Sequence, residues 1–255
     1  MSNPSPIRAD RLAALRAEVR GIEDLGGRGS AGVLPFGVAE IDARLAGGGL
    51  AVAALHEIAA SSAGLWDEAA ALTFIAGIAA RRPGTVLWTF ARADLFAPGL
   101  AAAGLTPDRV LYAEAGSDPD VLAVMEEGLR HGGLAAVVGE VVRAPMASTR
   151  RLQLAAETCG TLALMLRRWR KPAEDPLAEP SAAMTRWRLA VAPSTPLPVA
   201  GIGRARWRLL LARQRGGDTH EWIVEGTDDT GRLALPAEFR DRPAADPGRA
   251  DRAAA

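Results

Sequence analysis

Short continuous apolar runs alternate with stretches of helical period along most of the chain. Residues 51–58 form the first run, broken only by His56 and Glu57. After a small-residue loop, residues 66–81 read as a long apolar helix. The pattern then repeats. Residues 84–90 (GTVLWTF) read as a buried strand, 98–104 as a helix and 110–114 as a short strand. Residues 118–131 form a helix with Val121, Leu122, Val124, Met125 and Leu129 turned inward. Residues 134–138 form a strand ending at Gly139 and Glu140, 148–159 a helix and 161–166 a strand. Apolar strands separated by helices predict a parallel sheet covered on both faces.

The flanks read differently. Residues 8–23 have the spacing of an amphipathic helix, with Leu12, Leu15, Val19 and Ile22 three or four apart and Arg11, Arg16, Glu18 and Arg20 on the other side. A Gly-rich connector follows to residue 32, so this helix either packs on its own domain or docks on a partner. Residues 40–45 predict a short helix, broken by Ala46-Gly47-Gly48-Gly49-Leu50. Residues 167–183 hold three prolines among dense charge, which predicts a mobile loop. Residues 185–191, 204–213 and 221–225 read as strands pairing antiparallel at one edge of the sheet. Alternation places Trp187, Leu189 and Val191 inward with Arg186 and Arg188 outward. It likewise places Trp207, Leu209 and Leu211 inward, with Arg206 and Arg208 outward. The expected division is a helix and linker over 1–32, a core domain over 33–236 and a disordered tail over 237–255.

Composition narrows the function classes. The 255 residues are 49% hydrophobic and 24% charged with formal net charge zero, so nothing global marks a nucleic-acid binder. The 30 basic residues are 29 Arg and the single Lys171. One cysteine, Cys159, excludes an internal disulfide and any cysteine metal cluster, and reads as a buried structural thiol. His56, His131 and His220 are far apart and read as structural. No run of 18 apolar residues and no secretory leader is present, so the expectation is a cytoplasmic protein without membrane contact, metal or cofactor.

Two constellations invite a chemical reading. The first is the stretch 36–84, in which a strand, a small-residue loop and a long helix follow one another as in a phosphate-binding P-loop. The loop is Ala60, Ser61, Ser62, Ala63 and Gly64, with Asp67 in the helix that follows. It lacks the lysine and the Mg²⁺-holding hydroxyl of G-x-x-x-x-G-K-[ST]. Asp67 and Glu68 suit a helix N-terminus but would repel a triphosphate. The second is Arg-Trp-Arg, found at 168–170, 186–188 and 206–208. Arginine with tryptophan suits nucleic-acid backbones and bases, although alternation already assigns the strand tryptophans to the core. Arg167, Arg168, Trp169, Arg170 and Lys171 are the candidate contacts to DNA or a partner.

The ordered set of segments resembles the core of the RecA recombinases. It runs from FGVAEIDARLAGGGL through the strand with HEI, the P-loop-like turn, TVLWTF, AAAGLTPDRVLY, LAAVVGE and TLALML to the closing strands. The resemblance implies an α/β fold of P-loop-NTPase type, with a mostly parallel sheet, antiparallel closing strands and a degenerate nucleotide site. Three positions depart from the pattern. The lysine and hydroxyl of the loop are missing, Arg92 stands where the water-activating glutamate belongs, and the second acidic strand ends in Gly139 with Glu140 one step late. A RecA-like chain of this length without those residues resembles the ImuA family of SOS-mutagenesis accessory proteins.

That likeness implies an adaptor of translesion synthesis without ATPase activity. Its implied partners are an ImuB-like protein, RecA and an error-prone DNA polymerase, with weak DNA binding and self-association as further expectations. By analogy with RecA, Leu12, Leu15, Val19 and Ile22 would form a docking helix. The rival readings are a SulA-like cell-division inhibitor and a nucleotide-dependent recombination regulator.

Overall fold

The computed structural model describes residues 32–194, 201 and 203–236. The expected N-terminal helix, with Leu12, Leu15, Val19 and Ile22, lies outside the described residues, as does the tail 237–255. The chain opens with β1 (Val33–Leu34), α1 (Ala39–Asp42) and β2 (Leu50–Ala51), and β1 pairs antiparallel with β2. It continues through β3 (Leu55–Ala60), α2 (Leu65–Ala80), β4 (Val86–Phe90), α3 (Ala97–Ala102), β5 (Val110–Glu114), α4 (Asp118–His131), β6 (Ala136–Val141), α5 (Met146–Cys159) and β7 (Leu162–Arg167). Strands β8 (Thr185–Ala192), β9 (Arg206–Gln214) and β10 (His220–Glu225), which pair antiparallel with one another in turn, close it. Eight strands form one sheet in the order β10-β9-β8-β3-β7-β6-β4-β5. Strands β8, β3, β7, β6, β4 and β5 are parallel, and β9 and β10 turn back at one edge.

Period two decides which helix covers which face. Glu57, Met165 and Val137 share one face with Leu55, Ala163 and Arg167. This face packs on Val121, Leu122, Met125 and Leu129 of α4 and on Leu152 and Ala156 of α5. Ile58, Trp88, Val138, Leu164, Trp187 and Leu209 point to the other face, against Phe74, Ile75 and Ile78 of α2. Phe36, Phe74, Trp187 and Trp222 form an aromatic column there, with ring centroids 5.7 to 6.3 Å apart. Helix α2 carries apolar residues nearly all round because it lies between the sheet and the 226–236 segment. Gly231, at φ +74, lies so close to Gly77 that a Cβ on it would come within 2.4 Å of the Gly77 carbonyl oxygen.

Several expectations change. Ala60 belongs to β3 rather than to the loop. Strand β6 runs past Gly139 and Glu140 to Val141, since β4 and β7 pair with it on both sides along that length. Val191 is exposed rather than inward, because β8 extends beyond the helix that covers its middle. Val124 is only half-buried and Cys159, the last residue of α5, is also half-buried. The 167–183 segment is not loose. Arg188 pairs with Asp175, Arg167 with Glu179, and Leu177, Ser181 and Ala183 are buried.

Candidate functional site at the carboxyl ends of the central strands

Strand β3 ends at Ala60, and a four-residue turn leads into α2. The turn is stitched in place by its own groups. The Ser61 N–H donates to the Leu189 carbonyl (2.7 Å). The Ser62 hydroxyl donates to Asp67 Oδ2 (2.7 Å) and accepts the Gly64 N–H (3.2 Å). Asp67 Oδ1 accepts the Val191 N–H (2.8 Å), so this buried carboxylate ties the first turn of α2 to β8. The Ala60 carbonyl accepts the Trp169 indole N–H (3.0 Å). In a phosphate loop, backbone N–H groups converge on the ligand. Here the exposed turn spends its Ser61 and Gly64 N–H groups on Leu189 and Ser62, and Asp67 turns its carboxylate to Ser62 and Val191.

The second element of the site is the arginine pair at the end of β7. Alternation sends the two side chains to opposite faces of the sheet. Arg167 is 1% exposed and meets Glu57 of β3 (3.2 Å) and Glu179 (3.3 Å). Glu57 is fully buried and is also bound by Arg186 Nε (2.7 Å). Arg186 therefore does leave the aromatic face, as alternation requires, but it ends buried beside Glu57 rather than in solvent.

On the α2 face Arg168 is the hub. Its Nη1 donates to Glu140 Oε2 (2.6 Å) and Asp94 Oδ1 (2.9 Å). Its Nη2 donates to Asp94 Oδ2 (3.0 Å) and Glu68 Oε2 (3.3 Å). The other oxygen of Glu140 accepts the Trp88 indole N–H (2.7 Å). Burial pushes the Glu140 carboxyl above the usual range, against the pull of Trp88 and Arg168. Burial alone would loosen the Arg168 proton, but Glu140, Asp94 and Glu68 together hold it more tightly than in a free arginine.

The candidate contact residues therefore divide. Arg167 and Arg168 are committed to carboxylates and are not available to DNA, and Trp169 is half-buried against the core. Only Arg170 and Lys171 face outward, both beside Glu174. Arg92 is exposed and pairs with Asp94 (2.9 Å). The residues that sequence reasoning did not bring together are Glu57, Trp88, Asp94 and Arg186. The signal for two of the partners was present, since Glu57 and Glu140 are acids inside apolar strands and an acid so placed requires a cation.

His56 lies at the foot of β3, between Thr185 Oγ1 (2.7 Å) and the Ala51 carbonyl (2.9 Å). Burial lowers its pKa to about 4, partly offset by the Ala51 carbonyl. Among the described residues, no helix is long and apolar enough to cross a membrane.

The fold and site define an α/β protein with a strand–turn–helix loop that carries a Ser62–Asp67 hydrogen bond, beside a buried arginine held by three carboxylates. The chain belongs to the ImuA family. It is 38% identical over 207 residues to Protein ImuA of Caulobacter vibrioides strain NA1000 / CB15N, a match covering 77% of this chain and 84% of the relative. The same values hold for Protein ImuA of strain ATCC 19089 / CIP 103742 / CB 15. No family model matches the chain. Among solved structures, the crystal structure of SulA from Pseudomonas aeruginosa is similar at 28% identity and TM-score 0.38, over 45% of this chain and 98% of SulA.

Proposed function

We propose that this chain is a non-catalytic, cytoplasmic adaptor of SOS-induced translesion synthesis, built on a RecA-like core and working beside an ImuB-like protein and an error-prone polymerase, with RecA as a further partner. Membership in the ImuA family supports the pathway. The observation that supports the non-catalytic part is the chemistry of the loop after β3: Asp67 is bound to Ser62 and Val191, and Arg168 is fixed by Glu140, Asp94 and Glu68. A triphosphate entering there would meet Asp67 and Glu68 in the first turn of α2 and find no lysine. Two measurements test the reading. Calorimetry with ATP and Mg²⁺ at millimolar concentration should show no binding, and saturable binding would overturn the non-catalytic role. Co-purification with the ImuB-like protein and with RecA should retain at least the former, and failure with both would overturn the adaptor role.

A further inference from the structure

Three large apolar side chains stand in the open on the segments that Arg168 joins. Leu65 is 74% exposed, Trp66 73% and Phe96 71%. Leu65 and Trp66 begin α2, and Phe96 immediately precedes α3. Arg168 links the two places, since it binds Glu68 one turn along α2 and Asp94 two residues before Phe96. Asp67 fixes the same helical turn from the other side through Ser62 and the Val191 N–H. The apolar groups are thus carried on two segments clamped to one buried guanidinium. A surface held rigid before binding has little ordering entropy left to lose.

Charge and area indicate what fits there. The cations of this edge are paired, Arg168 with Glu140, Asp94 and Glu68, Arg92 with Asp94, and Arg170 and Lys171 with Glu174, four cations to four carboxylates in all. Nucleic acid binds aromatic platforms flanked by free cations that track its backbone. An apolar centre ringed by internally paired charges is instead the anatomy of a protein–protein interface, with tryptophan as its commonest anchor. The three side chains expose on the order of 400 Å² of apolar surface. That is about half of what one partner contributes to a standard interface, and it suits the apolar stripe of a single peptide or helix.

We propose that Leu65, Trp66 and Phe96 form the docking surface for an uncharged apolar stripe of the partner protein, which under the function proposed above is the ImuB-like protein. The inference rests on that reading for the partner's name and on the geometry for the surface. The ion pairs of Arg168 with Glu68 and Asp94 then serve as its foundation.

The test measures binding of the purified ImuB-like protein to the full chain by biolayer interferometry. The variants are Trp66→Glu, Phe96→Ser and, as a control on the same edge, Arg170→Glu with Lys171→Glu. Thermal midpoints verify that each variant folds, and Trp66→Ala replaces Trp66→Glu if the charge prevents folding. The expected result is at least about tenfold weaker binding for Trp66→Glu and for Phe96→Ser, with the control within about twofold of the wild type. Wild-type affinity in both apolar variants overturns this surface and leaves the adaptor reading standing. Failure of the unmodified chain to bind overturns the assignment of the occupant together with that partner. A single-stranded oligonucleotide forms the last arm. If the apolar variants weaken its binding and not that of the ImuB-like protein, the surface belongs to nucleic acid and the proposal fails.

Discussion

Removing the Arg168 guanidinium while keeping its stem, as in Arg168→Met, tests whether the knot of charge holds the fold. Glu140 is the critical partner. Its side chain is 2% exposed, against 22% for Glu68 and 36% for Asp94, which water reaches in part. Without Arg168, Glu140 keeps only the Trp88 indole and becomes an uncompensated buried carboxylate. Leaving one member of a buried pair alone costs about 3–5 kcal/mol, and the more exposed partners add little. Against a typical total of roughly 5–15 kcal/mol, this is a large loss.

The cost should depend on pH in a definite direction. Burial already raises the Glu140 carboxyl, and loss of Arg168 raises it further. A carboxyl whose folded pKa exceeds its unfolded one favours the fold when protonated, and that contribution is lost as pH rises through the folded value. The deficit of Arg168→Met should therefore be greatest at higher pH, where Glu140 is ionised, and shrink as pH falls toward the ordinary carboxylate range. Adding Glu140→Gln removes the stranded charge and keeps a carbonyl oxygen for Trp88, so the double variant should recover most of the loss. Urea unfolding followed by tryptophan fluorescence gives the midpoints, and an unchanged slope shows that the same surface is exposed. The reasoning is refuted if Arg168→Met lies within about 1 kcal/mol of the wild type, or if Glu140→Gln fails to rescue it.

Other sites make sharper local predictions. His56 stays neutral in the fold to about pH 4, whereas the unfolded chain takes up the proton at 6.5. Stability from this residue is thus complete above 6.5 and lost as pH falls to about 4, about 3 kcal/mol at about 1.4 per pH unit; His56→Gln should flatten that part of the stability–pH curve. Asp67→Ala leaves the Ser62 hydroxyl and the Val191 N–H without their acceptor, and should lower stability by about 1–3 kcal/mol in urea unfolding without creating ATP binding in calorimetry. Gly231→Ala would drive a methyl group into the Gly77 carbonyl at a positive φ. A loss of about 2 kcal/mol or more is expected in thermal unfolding, whereas Gly216→Ala, at φ +73 in open space, should lose only about half as much.

How far the sequence could be read depends on the range over which each feature is encoded. Helix α4 was legible to its end residues because its signals are local: acids in the first turn, apolar residues three and four apart, and Gly132 to stop it. Strands β4 and β5 and the closing hairpins were legible from apolar runs and alternation. Trp187 and Trp207 were placed in the core for the same reason, and they are buried. Burial of Arg167, Arg168 and Arg186 was not legible in this way. Read as a segment, residues 167–171 form a charged loop, because the buried acids that Arg167 and Arg168 meet across the sheet are far off in sequence, Glu140 28 and Glu57 110 positions away, with Asp94 and Glu68 74 and 100 away. Of the acids paired with these two arginines, Glu179 alone is near, 12 from Arg167. Period and composition see a window of about a dozen residues, and an ion pair closed by strand order lies beyond that window.

Strand order also explains why two consecutive arginines take different roles. Strand β7 lies between β3 and β6, so its last residues face Glu57 on one side and Glu140 on the other. Consecutive residues of a strand point to opposite faces, so Arg167 and Arg168 meet these two acids on the two sides of one sheet. Neither acid could remain in an apolar strand without its cation, and neither arginine could be buried without its acid. The two networks therefore close the end of the sheet jointly. Arg168 joins Glu68 of α2 to Asp94, so it ties together the segments that carry Leu65, Trp66 and Phe96. Under the proposed docking surface, saturating protein partner should slow protease cleavage after Arg92, and under the non-catalytic reading millimolar ATP should leave that rate unchanged; an unchanged rate with the partner would refute the first, and protection by ATP the second.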